Sequence, residues 1–311
     1  MTYFYRLLRE SYAKRKSNAR VRLSGFTFVY PHAVELQYGD WLRRLFLSRI
    51  KVFEKIAFEG IDERYPIHLL DASIEDDWAQ VTQKMLESSR LMKDFGLTAS
   101  TASVLFFGEA VNKFNASEWD RFLNMTVGQS WYPDEVWVNS MLDDWKSTQL
   151  SLISKLDGDV IAKIGAVVQQ SVLTGVKASE SKETIASIVR SMSDWRAKLI
   201  ARDQTSKLNS KLTEYRQKDA GLSRYVWSTS MDERVRGNPG GKWSKVKPDH
   251  WIMHGKKCVW VDSTKMYENG VVVPRPEGAV LVHPGLDIAC RCVAIPDEDE
   301  INEILEGGID V

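Results

Sequence analysis

The sequence predicts an α+β protein in which a predominantly helical amino-terminal region and a long-helix arm precede a small β-containing carboxy-terminal module. Three observations carry that expectation. Apolar side chains recur at three- and four-residue intervals through most of the chain before Gly221, the spacing of one helix face. After Gly221 the pattern changes to short β-branched and aromatic runs parted by Gly and Pro, as short strands and tight turns require. The chain is 43% apolar and 27% charged with 11 Trp, 10 Tyr and 11 Phe, which supplies enough bulky apolar surface for a core without cross-links.

The elements follow in order. Residues 1–18 are expected to form a short basic helix, and Arg20 to Tyr30 alternates apolar and polar residues at the two-residue period of a strand. Ala33 to Phe58 reads as one helix ending near Gly60, with Leu36, Trp41, Leu42, Leu45, Ile50, Phe53 and Ile56 recurring at intervals of three and four. Separate helices fit Ser73–Phe95, Thr101–Phe114 and Ser117–Met125, with Asn115, Ala116 and Ser117 offering a cap before Trp119. These make up a region 1–132. Pro133 can open a helix running from Val136 to Leu156, a second starts after Asp157 and Gly158 and ends at Gly175, and a third runs from Glu183 toward Tyr215. Together they predict an antiparallel bundle or arm over 133–220. Trp119, Trp145 and Trp195 stand at helical positions and are expected in the core.

In the module 221–296, strands are expected at Tyr225–Thr229, Cys258–Asp262, Val271–Val273, Val280–Val282 and Cys292–Ile295. Residues 237–247 are too rich in Gly and Lys for a regular helix and should form an exposed basic loop. Residues 297–311 read as an acidic tail.

Charge and cysteine usage exclude several classes. Lys and Arg balance Asp and Glu at 42 each, so the surface as a whole is not adapted to nucleic acid. The start of the chain is locally basic, and Arg6, Arg9, Lys14, Arg15, Lys16, Arg20 and Arg22 are candidates for phosphate contact without sequence readout. Those same residues break any apolar run that a secretory signal needs, and no window reaches the length of a membrane span. Three cysteines make no disulfide framework and fit a reducing compartment.

The module carries an ordered set of landmarks: Tyr225 and Trp227; Asp232, Arg234 and Arg236; His250 and Gly255; His283, Pro284 and Gly285; and Cys290, Arg291 and Cys292. This order resembles the conserved module of phage Mu F-like head morphogenesis proteins, where a Tyr-x-Trp strand precedes Asp-x-Arg-Val-Arg, a His-centred segment, and Pro-Gly with Cys-Arg-Cys. Asp143 to Leu156, Val172 to Gly175 and Ala201 to Thr205 resemble the family's helical section, and the likeness covers residues 75–296. The resemblance implies a minor capsid protein of a tailed bacteriophage, held inside the head near the portal and made in the host cytoplasm. It implies a part in head assembly and in DNA packaging or ejection. The partners it implies are the portal protein, the major capsid or scaffolding protein, and packaged DNA. It implies no enzyme activity and no membrane.

All three cysteines, with His250, His254 and His283, fall within residues 250–292, which raises a metal hypothesis. If Cys290 and Cys292 lie on a strand they share a face with Arg291 opposite, so both thiolates could meet one zinc alongside His250 or Asp232. One intervening residue is short for a structural zinc pair, and buried thiols filling a core remain the competing reading. Asp232, Arg234 and Arg236 suit an ion-pair network that fixes a loop. No phosphate-binding Gly-rich loop, Gly-x-Ser-x-Gly elbow or His-Glu-x-x-His helix is present. The rival readings are a metal-dependent nuclease or hydrolase using Asp232, His250, Cys290 and Cys292, and a free DNA-binding factor.

Overall fold

The computed structural model describes residues 21–23, 26–64, 73–128, 135–174, 176 and 178–306. Of the candidate DNA contacts only Arg22 is among them, and it is exposed; Arg6, Arg9, Lys14, Arg15, Lys16 and Arg20 lie outside the described residues. The elements are α1 (His32–Arg64), α2 (Ser73–Val127), α3 (Trp137–Thr174), α4 (Ala178–Asp219), β1 (Arg224–Ser228), a 3-10 turn (Trp251–Met253), β2 (Lys257–Val259), β3 (Lys265–Glu268), β4 (Val271–Pro274), β5 (Val293–Pro296) and α5 (Glu298–Leu305). The chain is α+β. No described helix is long and apolar enough to cross a membrane.

The helices are fewer and longer than the sequence pattern suggests. The stretch 73–127 is one helix because Asn115 does not cap a break; its amide donates to Asn209 Oδ1 at 3.0 Å and to Thr213 Oγ1 at 2.8 Å. Likewise α3 runs straight through Asp157 and Gly158. Asp157 is buried in an ion pair with Arg49 instead of starting a new helix, and a Cβ on Gly158 would meet nothing within 4 Å. The arm therefore holds two long helices where three were expected.

Two compact units result, one formed by residues 33–108 and 139–201, the other by 1–32, 109–138 and 202–311. In the first, Tyr38, Leu42, Phe46, Ile50 and Phe53 are buried along α1, and the Tyr38 hydroxyl donates to Gln149 at 3.0 Å. Trp145 is buried there, but Trp195 is 60% exposed with the Arg196 guanidinium 5.3 Å from its ring. Its helical spacing falls on the solvent side.

The second unit holds the sheet, whose strand order is β4-β3-β2-β1-β5 with every pairing antiparallel. β3 and β4 meet at Asn269 and Gly270, both with positive φ (53° and 85°), the geometry of a two-residue hairpin turn. The expected strand at Val280–Val282 does not form, because Arg275 Nη1 takes the carbonyls of Val280 and Val282 at 2.6 and 2.9 Å and holds them as a loop. Nor do the described residues of the expected strand from Arg20 to Tyr30 form one, although the alternation does place Val21, Leu23, Phe26 and Phe28 in the core. Three of their amides go to side chains, Val21 N–H to Asn302 at 2.8 Å, Leu23 to Glu298 at 2.6 Å and Val29 to Glu118 at 2.8 Å, and the Phe26 N–H turns back to the Leu23 carbonyl at 2.8 Å. Those residues pack with Trp119, Phe122 and Leu123 of α2 and with Ile301, Ile304 and Leu305 of α5.

The segment read as an acidic tail thus supplies core. α5 starts at Asp297, whose side chain accepts the Asp299 N–H, and Glu298, Asp299 and Glu300 crowd its first turn, where the helix dipole favours negative charge. Glu300 accepts the N–H groups of Ser223 and Arg224, each at 2.9 Å, so α5 also fixes the entry to β1.

Candidate functional site

β1 places Tyr225 and Trp227 side by side in sequence on one buried face, at the heart of a core shared with Met253, Cys258, Trp260, Met266, Cys290 and Cys292. The carboxy-terminal half of α4 then anchors the loop that leads to β5. The Ser210 hydroxyl donates to the Pro284 carbonyl, the Ser206 hydroxyl to that of Cys290, and the Ala289 N–H reaches Asp203 at 3.2 Å. Gly285 sits at φ +84°, and a Cβ there would lie 2.9 Å from Ser210 Cβ and 3.1 Å from the Ser206 carbonyl oxygen. Only glycine lets this loop close on the helix.

That loop brings Cys290 and Cys292 to His250, which enters from the connection between β1 and β2. Nδ1 of His250 is 3.4 Å from Cys290 Sγ and 3.6 Å from Cys292 Sγ, and the three ligand atoms lie within 4.8 Å of one another with all three residues buried. The cysteines precede β5 and are not on a strand. Their sulfurs converge because the chain turns at Ala289 (φ 54°) and the Cys292 N–H folds back onto Cys290 Sγ at 3.3 Å.

On the far side of the imidazole, Nε2 meets Asp287 at 2.9 Å, and Arg236 pairs with the same carboxylate at 2.6 Å. The Arg236 carbonyl accepts the N–H groups of His250 and Trp251, both at 3.1 Å, so one residue orients the histidine through backbone and side chain together. Asp287 escaped the sequence reading. Its only signal is a carboxylate between the Pro-Gly and the Cys-Arg-Cys landmarks.

These contacts set the protonation tendencies. Burial works against a charged His250, but the Asp287 carboxylate and the Cys290 thiol outweigh it and raise its pKa. Burial likewise opposes charge on Asp287, yet bonds from His250 and the Ile288 N–H, with Arg236 nearby, hold it down to about 2. The hydrogen bond from Cys292, opposed by burial and helped by His250, pulls Cys290 well below the ordinary thiol range; that same bond and burial push Cys292 well above it. The wholly buried Trp227 Nε1 has no hydrogen-bond partner of good geometry among the described residues, and its N–H favours the Cys292 thiolate.

A cavity of about 60 Å³ borders the cluster, lined in part by Ser230, Asp232, Arg234 and Arg291. Asp232 is not drawn into the group. It accepts from the Arg234 backbone and guanidinium, both at 2.8 Å, and against the opposing effect of burial these bonds hold its carboxyl below the usual range. Arg291 lies with its guanidinium 5.7 Å from the Tyr30 ring, and Gly255 (φ 75°) donates to the Trp227 carbonyl at 2.8 Å.

A second polar group lies deeper in the module. Buried Arg275 donates from Nη2 to the Tyr225 hydroxyl at 2.9 Å, and that hydroxyl is 2.9 Å from His283 Nδ1. Burial first, and Arg275 among the nearby charges, lower the His283 pKa to about 4, so the ring is neutral at pH 7.

A helix-anchored antiparallel sheet whose Trp227 packs against a buried His-Cys-Cys group defines this module. Residues 162–295 match the family described as Phage Mu protein F like protein. The family is one of phage head morphogenesis proteins. An uncharacterized protein of Haemophilus influenzae (strain ATCC 51907 / DSM 11121 / KW20 / Rd) is 33% identical over 159 residues, which is 50% of this chain and 29% of that relative. The chain therefore spans less than a third of the relative's length. No solved structure matches it.

Proposed function

We propose that this chain is a structural minor head protein of a tailed bacteriophage, bound near the portal inside the procapsid and contributing to head assembly and to DNA packaging or ejection. The observation that carries this reading is the family match over 162–295, the segment that supplies most of the braced module. Exposed apolar side chains on the module, with Val261 at 90% and Val271 and Val272 consecutive on β4, are available for protein contacts.

The test is the composition of purified heads. Quantitative mass spectrometry should find the chain in heads at a fixed low ratio to portal, and prophage lacking it should yield fewer DNA-filled heads. Absence from heads, with normal filling in the deletion, overturns the proposal. Contact with packaged DNA through the basic segment 6–22 belongs to the same reading, and truncating it should flatten the salt dependence of DNA binding. The hydrolase alternative draws on the cavity beside His250, but its Asp232 is already engaged by Arg234.

A further inference from the structure

The geometry points to a site for one thiophilic divalent cation of the Zn²⁺ kind, held by Nδ1 of His250 and Sγ of Cys290 and Cys292, with water as the fourth ligand. The inference stands apart from the head-protein reading and rests on four observations.

The first is spacing. Tetrahedral zinc with Zn–N near 2.05 Å and Zn–S near 2.3 Å sets its nitrogen and sulfur ligands about 3.6 Å apart. The two Nδ1–Sγ distances are 3.4 and 3.6 Å. Both sulfurs already stand at the separation from Nδ1 that such an ion imposes.

The second is the ring orientation. A histidine that ligates metal through one nitrogen characteristically gives its other N–H to a carboxylate, which fixes the tautomer and raises basicity. His250 presents Nε2 to Asp287 at 2.9 Å and turns Nδ1 toward the sulfurs. Asp287 is itself braced by Arg236.

The third is what surrounds the sulfurs. A thiolate bound to metal retains lone pairs that accept N–H groups. The Cys292 N–H already reaches Cys290 Sγ, and the buried Trp227 indole N–H has no oxygen or nitrogen acceptor among the described residues.

The fourth is the open side. The cavity of about 60 Å³ beside the cluster exceeds the roughly 10 to 15 Å³ that a water requires, and the Ser230 and Asp232 lining is polar. No fourth cysteine or histidine closes the group among the described residues. Such an ion would link the β1–β2 connection, which carries His250, to the approach to β5, which carries both cysteines.

The experiment uses the full chain, purified with reductant and without chelator. Elemental analysis should find one equivalent of Zn²⁺, and protein stripped and reloaded with Co²⁺ should show thiolate-to-metal absorption with visible bands of tetrahedral intensity. Cys290→Ser and Cys292→Ser should lose the metal, whereas Cys258→Ser, which alters a buried thiol outside the group, should keep it. Should the two cysteine variants fail to fold, Asp287→Asn keeps all three ligands and is expected to weaken Zn²⁺ affinity roughly 10- to 100-fold in chelator competition. Folded protein with three titratable thiols that takes up neither Zn²⁺ nor Co²⁺ overturns the site, as does equal loss of metal in Cys258→Ser. Head composition and metal content are read separately, so either proposal can fail alone.

Discussion

Gly285→Ala isolates the fit between α4 and the loop that carries Asp287, Cys290 and Cys292. Two costs add. The residue sits at φ +84°, and an L-residue held in the left-handed region loses about 1 to 2 kcal/mol. The new methyl would also stand 2.9 Å from Ser210 Cβ and 3.1 Å from the Ser206 carbonyl oxygen, which belongs to the helix backbone and cannot swing aside. Overpacking of this kind costs about 1 to 3 kcal/mol, for a total of about 2 to 5 kcal/mol. Gly270→Ala is the control, since it has φ +85° with nothing within 4 Å of its Cβ and should show the backbone cost alone. Hydrogen exchange of the β1 and β5 amides, read by mass spectrometry, follows the module without interference from the helical unit. Protection there should fall by at least about fivefold more in Gly285→Ala than in Gly270→Ala, the factor that corresponds to about 1 kcal/mol. Equal losses would refute the claim that close approach, and not φ, selects glycine at 285.

Three further outcomes are expected. Asp157→Asn strands the buried Arg49 guanidinium and should destabilise the helical unit by roughly 3 to 5 kcal/mol in urea unfolding, while replacing both partners by Leu and Met should recover most of it. Tyr225→Phe removes the hydroxyl between Arg275 and His283 and should cost the module about 1 to 3 kcal/mol, again read by exchange at β1 and β5. His283, with its folded pKa lowered from 6.5 to about 4, binds protons more weakly folded than unfolded, so its contribution is full above pH 6.5 and is lost as pH falls from there through 4. Allowing for partial screening, the loss is on the order of 2 kcal/mol, and a His283→Gln variant should show a flatter stability profile across that window.

The residues alone were sufficient for the fold class, for the change from helix to short strands near Gly221, and for the gathering of His250, Cys290 and Cys292 near one another in the chain. Hydrophobic period and turn residues are local properties, so they survive in a single sequence. The Asn269-Gly270 hairpin could have been read the same way, since paired positive φ is what that dipeptide favours. Helix boundaries could not. Asn115, Asp157 and Gly158 all look like breaks, and each is overruled by a partner distant in the chain or by open space around it. Strand assignment failed similarly at Val280–Val282, where Arg275 takes the carbonyls that a neighbouring strand would need, and over the described residues of Arg20 to Tyr30, where Asn302, Glu298 and Glu118 take amides. The cluster shows the same division. Composition brought the cysteines and one histidine together, but Asp287 behind the ring, the separation of Asp232 from the sulfurs and the 3.4 and 3.6 Å spacings arise from folding. A directional hydrogen bond depends on where two atoms arrive in space, and that is settled when α4, β1 and the closing loop pack together.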